Sequence, residues 1–270
     1  DMLSIVDAVT IAVPTLLHQQ VVEIVSAEGV NILVEKPLAG NVADAESIIA
    51  LAGAAGITLA VGHIERHNPI IRHAKECIDR REWGNIITVS AKRLSSYPSR
   101  IHDVGVLFDL TIHDVDIIRY LANSKIKNVY ANGGNLIDEM YEDHVILAME
   151  FDDNTLGLCE TNWLTPMKVR QLTITCEKVY IAVDLIEQSV EILSSEYTHL
   201  DDTNLSRIQQ KIKREVPHFT KSEPLLLEIE DFLECVQTLK AGSSASPLVS
   251  GYDGVEIIKI AESVLDNLKL

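Results

Sequence analysis

Three short apolar runs, each rich in β-branched residues and cut off by a proline or a glycine, set what the N-terminal part of this chain can fold into. Residues 7–13 read DAVTIAV and stop at Pro14, residues 31–35 read NILVE and stop near Pro37, and residues 57–62 read ITLAVG. Runs of this length and make-up are buried strands. Between them, residues 16–27 set Leu17, Val21, Ile24 and Val25 at helical spacing ahead of Gly29. The alanine-rich residues 42–55 form a second helix, with Asn41 as N-cap and Gly56 at the end. Strands and helices alternating through short connections make a parallel sheet covered by helices.

After Pro69 the pattern changes. A helix over residues 69–81 carries Ile70, Ile71, Ala74, Cys77 and Ile78, then come a strand at 86–94 and a helix over 106–121. The next strands fall at 127–131, 144–151, 155–161, 170–176, 179–184 and 189–193, with Asp152-Asp153-Asn154 and Glu177-Lys178 as hairpin turns. Consecutive hairpins predict an antiparallel or mixed sheet, open on one face. Residues 195–221 are polar and charged and read as a mobile excursion, and helices over 224–240 and 252–268 close the chain. The fold class expected is an α/β unit followed by an α+β unit, a size that 270 residues supply comfortably.

Charge and composition narrow the function. Forty acidic residues against 23 basic give a net charge of −17, a field that repels nucleic acid and anionic membrane and leaves small molecules and protein as partners. A hydrophobic fraction of 47% excludes wholesale disorder. No stretch resembles a signal peptide or reaches the roughly 18 apolar residues of a membrane span. The four cysteines lie far apart with no C-x-x-C pair. The expectation is a cytoplasmic protein with reduced thiols and no metal centre.

Four segments carry candidate chemistry. Lys36, in Glu35-Lys36-Pro37, emerges at the carboxyl end of a buried strand, where open parallel sheets bind ligands; partial burial there brings a lysine toward neutrality. In residues 109–116, Asp109, His113 and Asp116 share one helical face, so a carboxylate one turn away fixes the tautomer of an imidazole base; a solvated acidic face is the alternative. His63 and His67 flank Glu65-Arg66 just before the turn at Asn68-Pro69, and the segment reads as a crossing between the two units rather than a metal site. Lys92, Arg93 and Arg100 gather in residues 92–100 without an acidic neighbour, a local basic cluster suited to a substrate phosphate or carboxylate.

Taken in order, DAVTIAVPTLLH (7–18), NILVEKPLA (31–39), VGHIERHNP (61–69), DLTIHDVDIIRYL (109–121) and the closing helix after SGYDG (250–254) resemble the glucose–fructose oxidoreductase and inositol dehydrogenase family. The resemblance implies a Rossmann unit over 1–66, a substrate and oligomerisation unit over 67–250 whose open sheet face pairs copies of the chain, and a final helix over 251–270. It implies NAD or NADP as cofactor, Lys36, Asp109 and His113 as catalytic residues, and Pro14, Thr15, His18, Glu35 and Lys36 beside the nicotinamide and its ribose. His113 would take the hydroxyl proton, Lys36 would polarise the oxygen and Asp109 would orient the base. Within the family, residues 64–69 and 92–121 look most like the branch acting on nucleotide sugars such as UDP-N-acetylglucosamine, with Arg93 and Arg100 as substrate-binding residues. A dehydrogenase of free polyols such as inositol, or a non-catalytic ligand sensor on the same fold, remain alternatives.

The family's opening strand, glycine-rich turn and helix, where a pyrophosphate meets helix amides, have no counterpart here: there is no G-x-G-x-x-G, and two βαβ units of about 30 residues each are expected to be missing ahead of Asp1. A chain beginning at Asp1 should therefore bind NAD and NADP weakly. Calorimetric titration checks this, and micromolar affinity would contradict it.

Overall fold

The computed structural model describes residues 2–98, 104–137, 140–199 and 208–268. The three apolar runs become β1 (Ala8–Ile11), β2 (Asn31–Glu35) and β3 (Leu59–Gly62), hydrogen-bonded in that order and all parallel, with Val9 opposite Ile32 and Val34 opposite Val61. Alternation along each strand assigns the faces. Ile11, Ile32, Val34 and Val61 pack under α1 (His18–Ala27) and α2 (Val42–Ala55), which contribute Val22, Val25, Ala45 and Ile48. Asn41 caps α2 by accepting from the Asp44 amide, and Gly56 ends it in the left-handed conformation. The expected helix over 16–27 is divided: Thr15–Leu17 forms a separate 3-10 turn off Pro14, and α1 starts only at His18.

The second sheet holds eight strands. β4 (Ile86–Ser96) follows α3 (Pro69–Asp79); a π-helical turn at Leu107–Thr111 leads into α4 (Ile112–Ala122). The strands β5 (Ile126–Gly134), β6 (His144–Phe151), β7 (Leu156–Asn162), β8 (Leu164–Cys176), β9 (Val179–Asp184), β10 (Ser189–His199) and β11 (Ile208–Glu215) complete it in the order β11-β10-β9-β8-β4-β7-β6-β5. Only the central β4–β7 pair is parallel, so the sheet is mixed. One face is dry: Val145, Leu147 and Met149 of β6, Val89 and Ala91 of β4, and Leu172 and Ile174 of β8 meet Ile112, Val115 and Ile118 of α4. The intervening residues, among them Ile87, Tyr130, Ile146 and Leu158, leave apolar side chains exposed on the other face.

The polar stretch at 195–221 departs from expectation. Much of it is sheet, as the end of β10 and the whole of β11 pair antiparallel, with Ser194 opposite Lys213. Its polarity is that of an edge ribbon rather than a loose loop: Lys213 pairs with Glu196 and Arg214 with Glu191 across the strands.

The two closing helices return to the first unit. α5 (Pro224–Lys240) lays Phe232 and Val236 on Leu33 and Ala60, the face of the parallel sheet that α1 and α2 do not cover. α6 (Gly251–Asn267), started by a Ser250–Asp253 capping box, sends Val255 and Ile258 into the first core and Ile257, Ala261 and Val264 into the second. All four cysteines are buried and unpaired with one another. Among the described residues no helix is long and apolar enough to cross a membrane.

Gly157 on β7 packs closely against α4. A Cβ there would lie 2.8 Å from Ile118 Cγ2 and 3.0 Å from Met149 Cε. Gly157→Ala should therefore cost about 1–3 kcal/mol by overpacking. Thermal unfolding checks this; an unchanged midpoint would mean that α4 can shift without penalty.

Candidate active site

The carboxyl ends of the parallel strands face the start of α4, and the candidate residues gather in that cleft. Lys36 leaves the end of β2 and donates from Nζ to the Asp109 carbonyl at 2.8 Å and to its carboxylate at 3.3 Å. Both side chains are largely buried, at 17% and 21% exposure. Burial pushes the lysine pKa down, opposed chiefly by the Asp109 charge.

His113 lies on the first turn of α4. Its pKa is held well below the usual histidine value, by burial first and then by the positive charges of Lys36, Arg93 and Arg170 and by His63. Its ring is therefore neutral at physiological pH, and Nδ1 has no hydrogen-bond partner among the described residues. The helical alignment of Asp109, His113 and Asp116 does not form as expected. Asp109 sits in the π-helical turn, outside the regular helix, and gives its carboxylate to Lys36. Asp116 accepts a bidentate pair from Arg66, at 2.8 and 2.6 Å. The orienting carboxylates are claimed by stronger, cationic partners.

The start of this helical segment is held from the loop before β6. The buried Glu142 carboxylate accepts from the Leu107 amide at 2.9 Å, where the helix end carries partial positive charge. Inside the turn, the Thr111 hydroxyl meets that of Thr161 on β7 at 2.6 Å.

Of the residues expected beside a nicotinamide, Thr15 lines a cavity of about 400 Å³ together with Pro37, Gly40, Gly105, Phe108 and Glu142. Pro14 is exposed at the mouth of the same loop. Glu35 packs over Gly62, where an added Cβ would lie 3.1 Å from its Oε2. His18 is different: its buried ring spans the carbonyls of Val13 (3.0 Å from Nε2) and Leu38 (3.2 Å from Nδ1), tying the loop after β1 to the loop after β2. It shapes the cleft from behind. The lining fits the nicotinamide half of a dinucleotide: apolar walls from Leu16, Pro37 and Phe108 suit a flat ring, and Thr15 offers a hydroxyl at its edge.

Of the two expected substrate arginines, Arg93 is buried and already paired. Arg93 is 2% exposed and spent on two carboxylates, donating from Nε to Asp114 at 2.9 Å and from Nη1 to Glu65 at 3.1 Å. An alternating strand turns every second residue inward, and Arg93 follows Val89 and Ala91 on the core face of β4. Arg100 lies outside the described residues. Lys92, on the other face, pairs with Glu160.

Three groups were missed by reading the sequence. His63, 2% exposed and with neither ring nitrogen partnered among the described residues, is kept neutral by burial and adds to the field at His113. Its sequence signal, a histidine directly after a buried strand of a parallel sheet, was present, but the segment reads as a crossing between the two units. Arg170 on β8 acts on both His113 and Asp109. Glu228 on α5 is buried, and its carboxyl is pushed up to about 8 by burial first, then by Glu35 and Asp231. No group of three metal-ligating side chains occurs among the described residues.

Comparison with known proteins places this arrangement. Residues 1–63 match the family model described as oxidoreductase family, NAD-binding Rossmann fold, and residues 71–182 match the GFO/IDH/MocA C-terminal domain. The UDP-N-acetylglucosamine 3-dehydrogenase of Acidithiobacillus ferrooxidans is 28% identical over 235 residues, covering 87% of this chain and 72% of the relative. The scyllo-inositol 2-dehydrogenase (NAD(+)) of Bacillus subtilis is 26% identical over 277 residues, covering 98% and 76%. The solved structure of the Acidithiobacillus enzyme superposes with a TM-score of 0.84 at 25% identity, over 99% of this chain and 80% of that one. A levoglucosan dehydrogenase solved with NADH shares the fold, with a TM-score of 0.78 at 19% identity over 97% and 77%.

The Glu228 carboxyl supplies a test of the site's electrostatics. Its folded pKa is raised above the unfolded value, so the unfolded chain releases the proton first and stability is lost as pH rises from about 4.5 toward 8. Glu228→Gln removes this loss. Its unfolding midpoint, relative to the parent, should climb between about pH 5 and pH 8. A constant offset across that range would mean that the carboxyl ionises normally.

Proposed function

The chain belongs to the GFO/IDH/MocA oxidoreductase family, and from that premise we propose that it oxidises a secondary hydroxyl of a sugar, with NAD or NADP as hydride acceptor. The observation that carries the reading is the juxtaposition of the Lys36–Asp109 pair with a neutral, unpartnered His113 nitrogen, in a cleft at the carboxyl ends of a parallel sheet. His113 accepts the hydroxyl proton. A ring that is neutral well into the acid range is always ready to do so, at the expense of some basicity. Lys36, held by Asp109, stabilises the negative charge that grows on the substrate oxygen as the proton leaves. When bound, the nicotinamide supplies the hydride acceptor. Thr15, Pro37 and Glu35 would border it, and His18 would keep the two bordering loops in register.

The substrate we favour is a nucleotide sugar such as UDP-N-acetylglucosamine. Support comes from the likeness to a UDP-N-acetylglucosamine 3-dehydrogenase across most of both chains, and from the cationic surroundings of His113 in a protein of net charge −17. An inositol-like polyol is the second reading, supported by the match to a scyllo-inositol dehydrogenase over nearly the whole chain. Exposed apolar side chains on the open sheet face, including Tyr130, Ile146 and Leu158, support self-association there, and four unpaired buried cysteines support a reducing, cytoplasmic setting.

Lys36→Ala and His113→Ala in the full-length enzyme should each lower kcat by about 10²-fold or more, the contribution of a positioned acid–base group. Because His113 must be neutral to act and its pKa lies below the ordinary value, kcat/KM should stay level down through about pH 6.5 and fall only in more acid solution. Near-normal turnover in both variants, or a limb at higher pH, would assign the base elsewhere.

A further inference from the structure

We propose that Arg170, supported by Lys168 two residues before it on β8, is the subsite for the substrate's anionic group, the diphosphate of a nucleotide sugar. The inference rests on the nucleotide-sugar reading of the same cleft and gives that reading its recognition element.

Strand geometry places the side chain. Arg170 sits opposite Arg93 in the β4–β8 register, so the two point to the same face of the sheet. Along β8 that face carries Cys176, Ile174 and Leu172, all buried under the helices, then Arg170, half-exposed; Lys168, two residues away and exposed, lies where the register with β4 shifts. Where the helical layer ends, the core row thus gives way to a half-exposed guanidinium. Arg170 lies 3.6 Å from Glu65, and Arg93 joins Glu65 to Asp114, the residue next to His113, which brings the guanidinium to the edge of the ion-pair cluster behind the reacting centre.

The charge on Arg170 is poorly compensated. Glu65 and Asp114 are the nearby carboxylates, and both are engaged by the buried Arg93. Arg170 reaches Glu65 only at 3.6 Å, beyond hydrogen-bond distance, through the same Oε1 that Arg93 already occupies at 3.1 Å. Among the described residues its guanidinium makes no hydrogen bond, leaving its five donors to water or a ligand. Burial and the like charge of Arg93 both press its pKa down, so an anion arriving there relieves two unfavourable terms at once. A guanidinium fork matches phosphate oxygens in pairs, and Lys168 adds a second positive charge alongside. An uncharged polyol can accept hydrogen bonds here but brings no negative charge to pair with the guanidinium.

The test compares the full-length parent enzyme with Arg170→Gln, Arg170→Lys and Lys168→Gln, using UDP-N-acetylglucosamine, inositol and free N-acetylglucosamine as substrates and UDP as a competitive probe. R170Q should raise KM for the UDP-sugar and the inhibition constant for UDP by about tenfold or more, the cost of a lost charged hydrogen bond, with a much smaller change in kcat. R170K should fall between parent and R170Q, because it keeps the charge and loses the fork. K168Q should give a weaker shift in the same direction, and it keeps the test alive if R170Q does not fold. A parent that prefers the UDP-sugar, with KM and UDP inhibition unchanged in all three variants, overturns the subsite and leaves the nucleotide-sugar reading standing. A parent that oxidises inositol best and is not inhibited by UDP overturns both.

Discussion

The buried pair between Arg66 and Asp116 holds the two halves of this molecule in one geometry. Arg66 follows the last parallel strand and Asp116 lies on the helix over the second sheet, and two short hydrogen bonds join them away from water. A second carboxylate, Asp253 at the N-terminus of α6, approaches the same guanidinium at 3.1 Å. Buried charges are tolerable only when their hydrogen bonds are satisfied, so such a pair acts as a geometric specification more than as a source of stability. Its neighbour Glu65 binds Arg93, which also binds Asp114. Two consecutive residues, Glu65 and Arg66, thereby fix both β4 and α4 relative to the first unit.

The catalytic reading depends on that specification. His113 sits one residue before Asp114, and its ring orientation follows from an α4 that cannot rotate without breaking two buried ion pairs. Lys36 comes from the opposite side, off the end of β2, and meets the segment through Asp109. The candidate groups therefore belong to separate units, and α6 packs into the cores of both.

In a protein of net charge −17, cations and carboxylates interleave around this cleft. Burial, with the charges of Lys36 and Arg93, holds the His113 pKa down, the Asp109 charge lets the Lys36 pKa fall less than burial alone would, and Arg170 is left short of a counter-ion. The long-range field opposes an anionic substrate, whereas the short-range pairing inside the cleft favours one. In a site of low dielectric constant the short-range interaction is the stronger of the two.

Much of the fold was legible in the sequence because its signals are local. Apolar runs stopped by proline or glycine marked three parallel strands, and Asn41 and Gly56 marked helix ends through contacts spanning four residues or fewer. The positions of Lys36, Asp109 and His113 at strand and helix ends were likewise readable. Which charges meet was not, because partners such as Arg66 and Asp116, or Arg93 and Asp114, are brought together only by tertiary packing. The basic cluster at Lys92, Arg93 and Arg100 looked like one surface in the sequence, yet strand alternation sends Lys92 and Arg93 to opposite faces and buries the latter. Arg170, distant in sequence from every candidate, comes opposite Arg93 through strand pairing alone. Sequence by itself determined the elements and the residue types available for chemistry. Tertiary structure decided which carboxylate holds which cation, because Coulombic pairing depends on distance in space and on exclusion of water, and neither is encoded in any one segment.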